Sequence, residues 1–108
     1  MDVGIDIQKN NAFKDFKKNK RFYENIFCPE EIEICLKKKG YKECFCGKFC
    51  VKEAVIKVFN KKLSFKDIKI LNDSSGKPYV VIKGKKRGDV CISVSHSKGI
   101  CAGVAIRT

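Results

Sequence analysis

The run Tyr41-Lys42-Glu43-Cys44-Phe45-Cys46-Gly47-Lys48-Phe49-Cys50-Val51-Lys52-Glu53-Ala54-Val55-Ile56-Lys57-Val58-Phe59 decides the architecture. On a helical wheel its apolar residues point in nearly every direction, which predicts a largely buried central helix. Its interior charges fall into two groups. Lys48 and Lys52 share one side; Glu53 and Lys57, four apart, share another, flanked by Phe49, Ile56, Cys46 and Cys50. An acid and a base set into an apolar surround need a reason, because unpaired burial of either is costly.

Upstream of this helix, Val3, Ile5 and Ile7 alternate with Gly4, Asp6 and Gln8. That period of two predicts a short strand with Asp6 on the face opposite the apolar residues. Between Ala12 and Phe27, six aromatic and aliphatic residues sit among lysines, predicting one or two short amphipathic helices with a basic outer face. Pro29 followed by Glu30 and Glu31 predicts a helix start, with the helix running to Lys39 and stopped by Gly40.

Downstream, Ile68 to Leu71 and Pro78 to Lys83 flank a turn at Asn72–Gly76 and predict a hairpin. A basic turn follows at Gly84–Gly88, then strands over Val90–Ser95 and Ile100–Arg107, joined at Ser97-Lys98-Gly99. The fold class is α+β: one small domain over 1–108, with an N-terminal strand and helices and a long central helix packed on an antiparallel sheet. A chain of 108 residues buries only about two thirds of its unfolded surface, so a deep enclosed site is hard to build from one copy.

The net charge of +12, from 24 basic against 12 acidic residues, attracts acidic partners or serves solubility alone. The opening residues lack a signal-peptide pattern, and no stretch has the ~18 apolar residues of a membrane span. The expectation is a cytoplasmic protein with no membrane partner, its seven cysteines reduced. Cys44, Cys46 and Cys50 have no standard zinc spacing and no second pair or His-x3-His to complete four ligands. They read as small buried hydrophobes.

Three places could do chemistry. Glu53 and Lys57 read either as an ordinary i,i+4 ion pair, as a metal ligand beside a phosphate clamp, or as an acid/base couple. Asp6 is poor strand material, so it either faces solvent or joins Glu53 in a hard-oxygen Mg2+ site. Ser93-Val94-Ser95-His96-Ser97 holds the only histidine and offers hydroxyl, imidazole and backbone donors to a phosphate. A Ser/His nucleophile is disfavoured, since adjacent residues of an extended segment point to opposite faces.

In order along the chain, Gly4-Ile5-Asp6-Ile7, Gly47 to Lys57, Leu63-Ser64-Phe65-Lys66-Asp67-Ile68, Gly76-Lys77-Pro78-Tyr79 and Ile92 to Ser97 resemble the holo-acyl carrier protein synthase family of 4'-phosphopantetheinyl transferases. The resemblance spans nearly the whole chain. It implies transfer of 4'-phosphopantetheine from coenzyme A to a serine of apo-acyl carrier protein in support of fatty acid synthesis. It implies Asp6 and Glu53 as Mg2+ ligands and Lys57 at the pyrophosphate, these three being the catalytic set. Lys48, where relatives usually carry Arg, is placed by coenzyme A phosphate. His96 and Ser97 hold the 3'-phosphoadenosine end, and Gly76, Lys77 and Pro78 line the nucleotide pocket. Cys46 and Cys50 stand where relatives have alanine.

The resemblance also implies a homotrimer with active sites between subunits. An acidic carrier protein would dock on Lys14, Lys17, Lys18, Lys20 and Arg21, with Phe22 as an apolar anchor. Asn60-Lys61-Lys62 replaces the Gly-rich loop usual after the central helix, and Lys9 and Asn10 stand where an acid is common. Two rival readings differ in class. A basic nucleic-acid-binding domain would use lysines among Phe and Tyr but leaves Asp6 and Glu53 without a job; the expectation is no nucleic acid partner. A redox- or zinc-dependent interaction module would use the cysteines.

Overall fold

The computed structural model describes residues 1–108. Strand β1 (Asp2–Lys9) leads through a 3-10 turn at Asn10–Ala12 to helices α1 (Lys20–Ile26), α2 (Pro29–Leu36) and α3 (Tyr41–Val58). A second 3-10 turn at Phe65–Asp67 precedes β2 (Ile68–Asn72), β3 (Pro78–Ile82), β4 (Lys85–Lys86), β5 (Val90–Ser97) and β6 (Ile100–Arg107). The class is α+β, with α3 packed across the sheet formed by β1, β6 and β5.

The expected single sheet is corrected to two, each antiparallel and three-stranded, in the orders β1-β6-β5 and β2-β3-β4. Pairing of β1 with β6 runs unbroken from Asp2↔Arg107 to Lys9↔Ile100, so the two ends of the chain close on each other. The β5–β6 hairpin turns at Lys98 and Gly99, both at positive φ, as a two-residue hairpin with the right-handed strand twist requires.

Two glycines set how closely α3 approaches this sheet. A Cβ on Gly4 would lie 2.1 Å from the Ala54 carbonyl oxygen, and one on Gly103 would lie 2.7 Å from Val51 N. The helix backbone therefore rests on strand backbone, and the apolar side of β1 is left facing outward. Val3, Ile5 and Ile7 are 62%, 64% and 66% exposed.

The core has two parts. Val51, Val55 and Val58 of α3 pack with Ile68, Ile70, Val80 and Ile82 of the second sheet. Phe13, Tyr23, Phe27 and Phe45 form the other part, with Phe45 at 4.6 Å from the Tyr23 ring and 4.8 Å from that of Phe27. Cys46, Cys50 and Cys101 are buried thiols in this aromatic cluster. The expectation of seven reduced thiols is corrected: the chain reversal between α2 and α3 brings Cys35 and Cys44 within 5.5 Å (Cα to Cα), and they form a disulfide.

Of the one or two helices expected between Ala12 and Phe27, one forms, α1, and the expected end of the next helix is corrected. Phe13–Asn19 is not helical, because Asp15 accepts a hydrogen bond from Lys18 N at 3.2 Å and Asn19 Nδ2 donates to the Asp15 carbonyl at 2.8 Å. Such local side-chain bonds compete with a helix ladder. Helix α2 ends at Leu36, short of Lys39, with Lys38 N turning back to the Cys35 carbonyl.

Candidate active site

Asp6 lies on the inner face of β1, opposite Gly103, and its side chain is only 13% exposed. Glu53 sits in α3 immediately before Ala54, whose carbonyl touches Gly4. The close helix–strand seat thus carries both carboxylates to one edge. Lys57 Nζ stands 3.7 Å from Asp6 Oδ1 and donates to the Ile5 carbonyl at 2.7 Å. Lys57 therefore bridges to β1, and the ordinary i,i+4 partnership with Glu53 is not what holds it.

Burial and, next, the negative charge of Asp6 hold the Glu53 carboxyl above the usual carboxylate range, with Lys57 and Lys61 opposing. A carboxyl whose ionisation is opposed by a second carboxylate is half of a donor set wanting a cation. No cluster of three or more His, Cys, Asp or Glu residues is arranged to hold a metal. A pair is nonetheless what Mg2+ requires, since that ion takes one or two carboxylates and fills its remaining positions with water and phosphate oxygens. The residues present fit Mg2+. Beside them Glu53, Ile56, Lys57, Lys61, Ser64 and Phe65 line a groove.

A second concavity opens between α3, the β2–β3 turn and β5. Lys48, Asn72, Gly76, Pro78, Val94 and His96 are in its lining. Lys48 is 7% exposed and its Nζ donates to the Ile70 carbonyl at 2.6 Å. Burial lowers its ammonium to about 8, with Glu31 opposing the shift. His96 lies against Gly47, with Nδ1 at 2.9 Å from Cys101 Sγ and 3.6 Å from Glu43 Oε1. Gly76, at φ +88°, closes the turn in a conformation that favours glycine.

Not every expected residue meets there. Lys77 and Ser97 are absent from the lining. Lys77 is held in the turn by its backbone N–H, 3.0 Å from Asp73 Oδ1. Ser97 follows His96 directly on β5, and strand alternation directs the two to opposite faces. Lys14, Lys17 and Lys18 occupy the irregular segment before α1; Lys20, Arg21 and Phe22 begin α1 itself, and all six are exposed. The expected basic helical face is therefore half loop. Phe22 packs edge-on against Phe13 and remains 42% exposed.

Within one chain the two concavities are separate. Lys48 and Glu53 are five residues apart, which places them about 140° around α3 from each other. Asp6 and the strand bearing His96 are divided by β6, about 10 Å across the sheet. Beneath the helix, Gly4 and Gly103 bring backbone onto backbone. The carboxylates and the pocket lined by Lys48 and His96 lie on opposite flanks of α3.

Sequence reasoning missed the polar group under Lys48. Glu31 Oε1 lies 2.7 Å from Lys52 Nζ, both side chains fully buried, and accepts from Cys28 N at 2.9 Å. Its other oxygen accepts from Ile70 N at 2.9 Å, tying α2, α3 and β2 together. Glu31 stands three residues after the residue preceding α2, the capping-box position, but Cys28 in place of Ser or Thr hid the signal. Glu43, Cys101 and Asn10, which surround His96, carried no local signal at all.

A family model described as the 4'-phosphopantetheinyl transferase superfamily matches residues 2–106. The holo-[acyl-carrier-protein] synthase of Halothermothrix orenii is 36% identical over 109 residues, covering 89% of this chain and 87% of that protein. Its namesake from Alkaliphilus metalliredigens is 36% identical over 118 residues, covering 98% and 97%. Among solved structures, Helicobacter pylori holo-[acyl-carrier-protein] synthase in complex with coenzyme A superposes with a TM-score of 0.84 at 31% identity, covering 98% of this chain and 99% of that one. The Bacillus anthracis synthase in complex with CoA (3',5'-ADP) gives 0.80 at 30% identity, covering 96% and 92%.

Proposed function

The chain belongs to the 4'-phosphopantetheinyl transferase superfamily, and from that premise we propose that it is a holo-[acyl-carrier-protein] synthase acting in fatty acid synthesis. It transfers 4'-phosphopantetheine from coenzyme A to a serine of apo-acyl carrier protein and releases 3',5'-ADP. The observation that carries the mechanism is the meeting of Asp6, Glu53 and Lys57 at one edge of the α3–β1 contact.

The serine hydroxyl oxygen attacks the β-phosphorus of coenzyme A, and the bond from that phosphorus to the bridging oxygen breaks. The electron pair leaves on the bridging oxygen as part of 3',5'-ADP. Glu53 is placed to take the serine proton, directly or through a water. Lys57, fixed by Asp6 and the Ile5 carbonyl, sets positive charge where the leaving diphosphate gathers negative charge. Asp6 and Glu53 would hold Mg2+, which when bound supplies charge neutralisation on the phosphoryl oxygens. Lys48 and His96, in the pocket beside Gly76 and Pro78, receive the 3'-phosphoadenosine end.

Half-sites on opposite flanks of α3 favour a homotrimer in which one subunit's nucleotide pocket faces its neighbour's carboxylates. The outward apolar stripe of Val3, Ile5 and Ile7, continued by Ile100 on β6, supplies a surface for that association. The net charge of +12 and the exposed Lys14, Lys17, Lys18, Lys20, Arg21 and Phe22 suit an acidic carrier protein. No helix is long and apolar enough to cross a membrane, and a cytoplasmic site of action fits the soluble substrates.

The test is incubation of apo-acyl carrier protein with coenzyme A and Mg2+, read by intact mass. The expected result is addition of one phosphopantetheine to the carrier serine, dependent on the divalent ion. An unchanged carrier mass with folded enzyme at micromolar concentration would overturn the activity. Persistence of transfer in a chelator would overturn the metal assignment alone. Native mass spectrometry is expected to show three chains per particle.

A further inference from the structure

His96 is the only histidine of the chain, and its surroundings are more specific than nucleotide binding alone requires. Its Nδ1 lies 2.9 Å from the thiol sulfur of Cys101, the residue paired with it across β5 and β6. That sulfur in turn donates to Asn10 Oδ1 at 3.0 Å, and Asn10 is anchored to the β5–β6 turn through its backbone N–H, 2.8 Å from the Gly99 carbonyl. Glu43 on α3 places Oε1 3.6 Å from the same ring nitrogen. The opposite side of the ring rests on Gly47, where a Cβ would come within 2.8 Å of His96 Cε1 and 3.2 Å of Nε2.

The groups around Nδ1 are acceptors. A carboxylate accepts only, and a thiol that gives its single hydrogen to an oxygen, Asn10 Oδ1 at 3.0 Å or the Glu43 carbonyl at 3.9 Å, has just its sulfur lone pairs to offer. Cys101 is fully buried, and burial pushes its thiol up, so it stays protonated at neutral pH. A ring nitrogen facing two acceptors must carry the hydrogen. The other nitrogen, Nε2, is then the one left for a ligand in the pocket.

We propose that Cys101 is a positioning residue, fixing the tautomer and orientation of His96 with Nδ1 protonated and Nε2 presented to the nucleotide end of the substrate. Gly47 completes the seat by leaving room for the ring against α3. The proposal rests on the coenzyme A reading for what Nε2 meets, but the tautomer itself does not depend on that reading. In neutral form Nε2 accepts a hydrogen bond from a ribose or amine donor; protonated, it donates to phosphate. Either way the ring is held by its far side before the ligand arrives.

The decisive measurement is 15N NMR of the single imidazole. Above the ring's titration, wild-type protein is expected to show the Nδ1–H tautomer, and Cys101→Ala to revert toward the Nε2–H form usual for free histidine. A wild-type ring already in the Nε2–H form, or no change on Cys101→Ala, would overturn the proposal. In transfer kinetics, Cys101→Ala is expected to raise KM for coenzyme A about fivefold, the worth of one neutral hydrogen bond, with kcat unchanged. Cys101→Ser, whose hydroxyl can both accept and donate, is expected to recover most of that loss. On a His96→Ala background, Cys101→Ala should add nothing further; full additivity would show a merely structural role and overturn the proposal. If the tautomer behaves as expected while His96→Ala leaves KM for coenzyme A unchanged, the positioning stands and the nucleotide role of His96 falls.

Discussion

On one flank of α3, Lys52 is fully buried, yet Glu31 meets its charge at 2.7 Å and the Ile26 and Phe65 carbonyls accept its remaining hydrogens at 2.8 and 3.2 Å. On the other, Glu53 sits near a second carboxylate, and its nearest lysine is engaged with Asp6 and a strand carbonyl. Lys52 and Glu53 are neighbours in sequence, so the same helix carries both arrangements one residue apart. The difference separates two uses of buried charge. A closed set of partners joins elements, as Lys52 joins α2, α3 and the Phe65 turn. An open set is poised for something the chain itself does not supply, which on the proposed function is a cation and a diphosphate.

The strongest way to break this contrast is Glu53→Gln. Transfer is expected to fall about a thousandfold, measured by carrier-protein mass, with circular dichroism unchanged. Stability should move the other way. The Glu53 carboxyl is raised in the fold from its ordinary 4.5, so its favourable contribution is full below that value and is lost as pH rises through the folded value. Glu53→Gln removes this dependence, and its stability relative to wild type is expected to grow between pH 4 and pH 8 in urea titrations. A gap that shrank over that window would show that Glu53 is already compensated.

Lys52→Met tests the closed side. It leaves Glu31 buried with backbone donors only, and a loss of about 3 kcal/mol in unfolding free energy is expected. If the loss were below 1 kcal/mol, roughly the worth of a surface pair, the joining role would fail.

Lys48 stands between the two cases: buried and hydrogen-bonded to one carbonyl, but lining a pocket. Its ammonium, lowered to about 8, loses charge as pH passes through that value. KM for coenzyme A is therefore expected to rise roughly tenfold between pH 7 and pH 9, and Lys48→Arg should flatten the rise because Arg stays charged. An identical profile in the variant would remove Lys48 from ligand binding.

The smallest effect concerns the loop that leaves the carboxylate flank. Asn60 and Lys61 hold φ of +55° and +61° without glycine, and Lys61 N reaches back to the Ile56 carbonyl at 2.8 Å. The backbone thus keeps a left-handed path that glycine would adopt without strain. Lys61→Gly is expected to stabilise by about 1 kcal/mol in thermal unfolding. A destabilisation would mean that the side chain, beside Glu53, matters more than the strain.

Much of this was readable in the sequence because it was local. The bounds of α3 follow from its apolar wheel within one residue, and the β5–β6 hairpin from its Lys98-Gly99 turn. The split into two sheets was not, since nothing near Ile68 says that β2 and β3 pair only with each other and with β4. Asp6, Glu53 and Lys57 were legible as odd residues in apolar settings and through family resemblance, but their meeting depends on Gly4 seating the strand under Ala54. Cys101 and Asn10 illustrate the limit: they touch across 91 positions, and a lone cysteine in a strand looks like packing. Whether Ala12–Phe27 held one helix or two stayed open for the opposite reason, since Asp15 and Asn19 offered the backbone a local alternative that the aromatic spacing concealed.

The contact of Gly4 and Gly103 with α3 has a consequence for how this molecule can change over time. The reach from Asp6 to Glu53 is gauged by main chain against main chain, with no side chain acting as a shim. Cys50 belongs to the same seat, since a Cβ on Gly103 would also meet its backbone and its own Cβ. A single methyl group would wedge open the jaw that the two carboxylates form, by about an ångström at Gly4 and by less at Gly103.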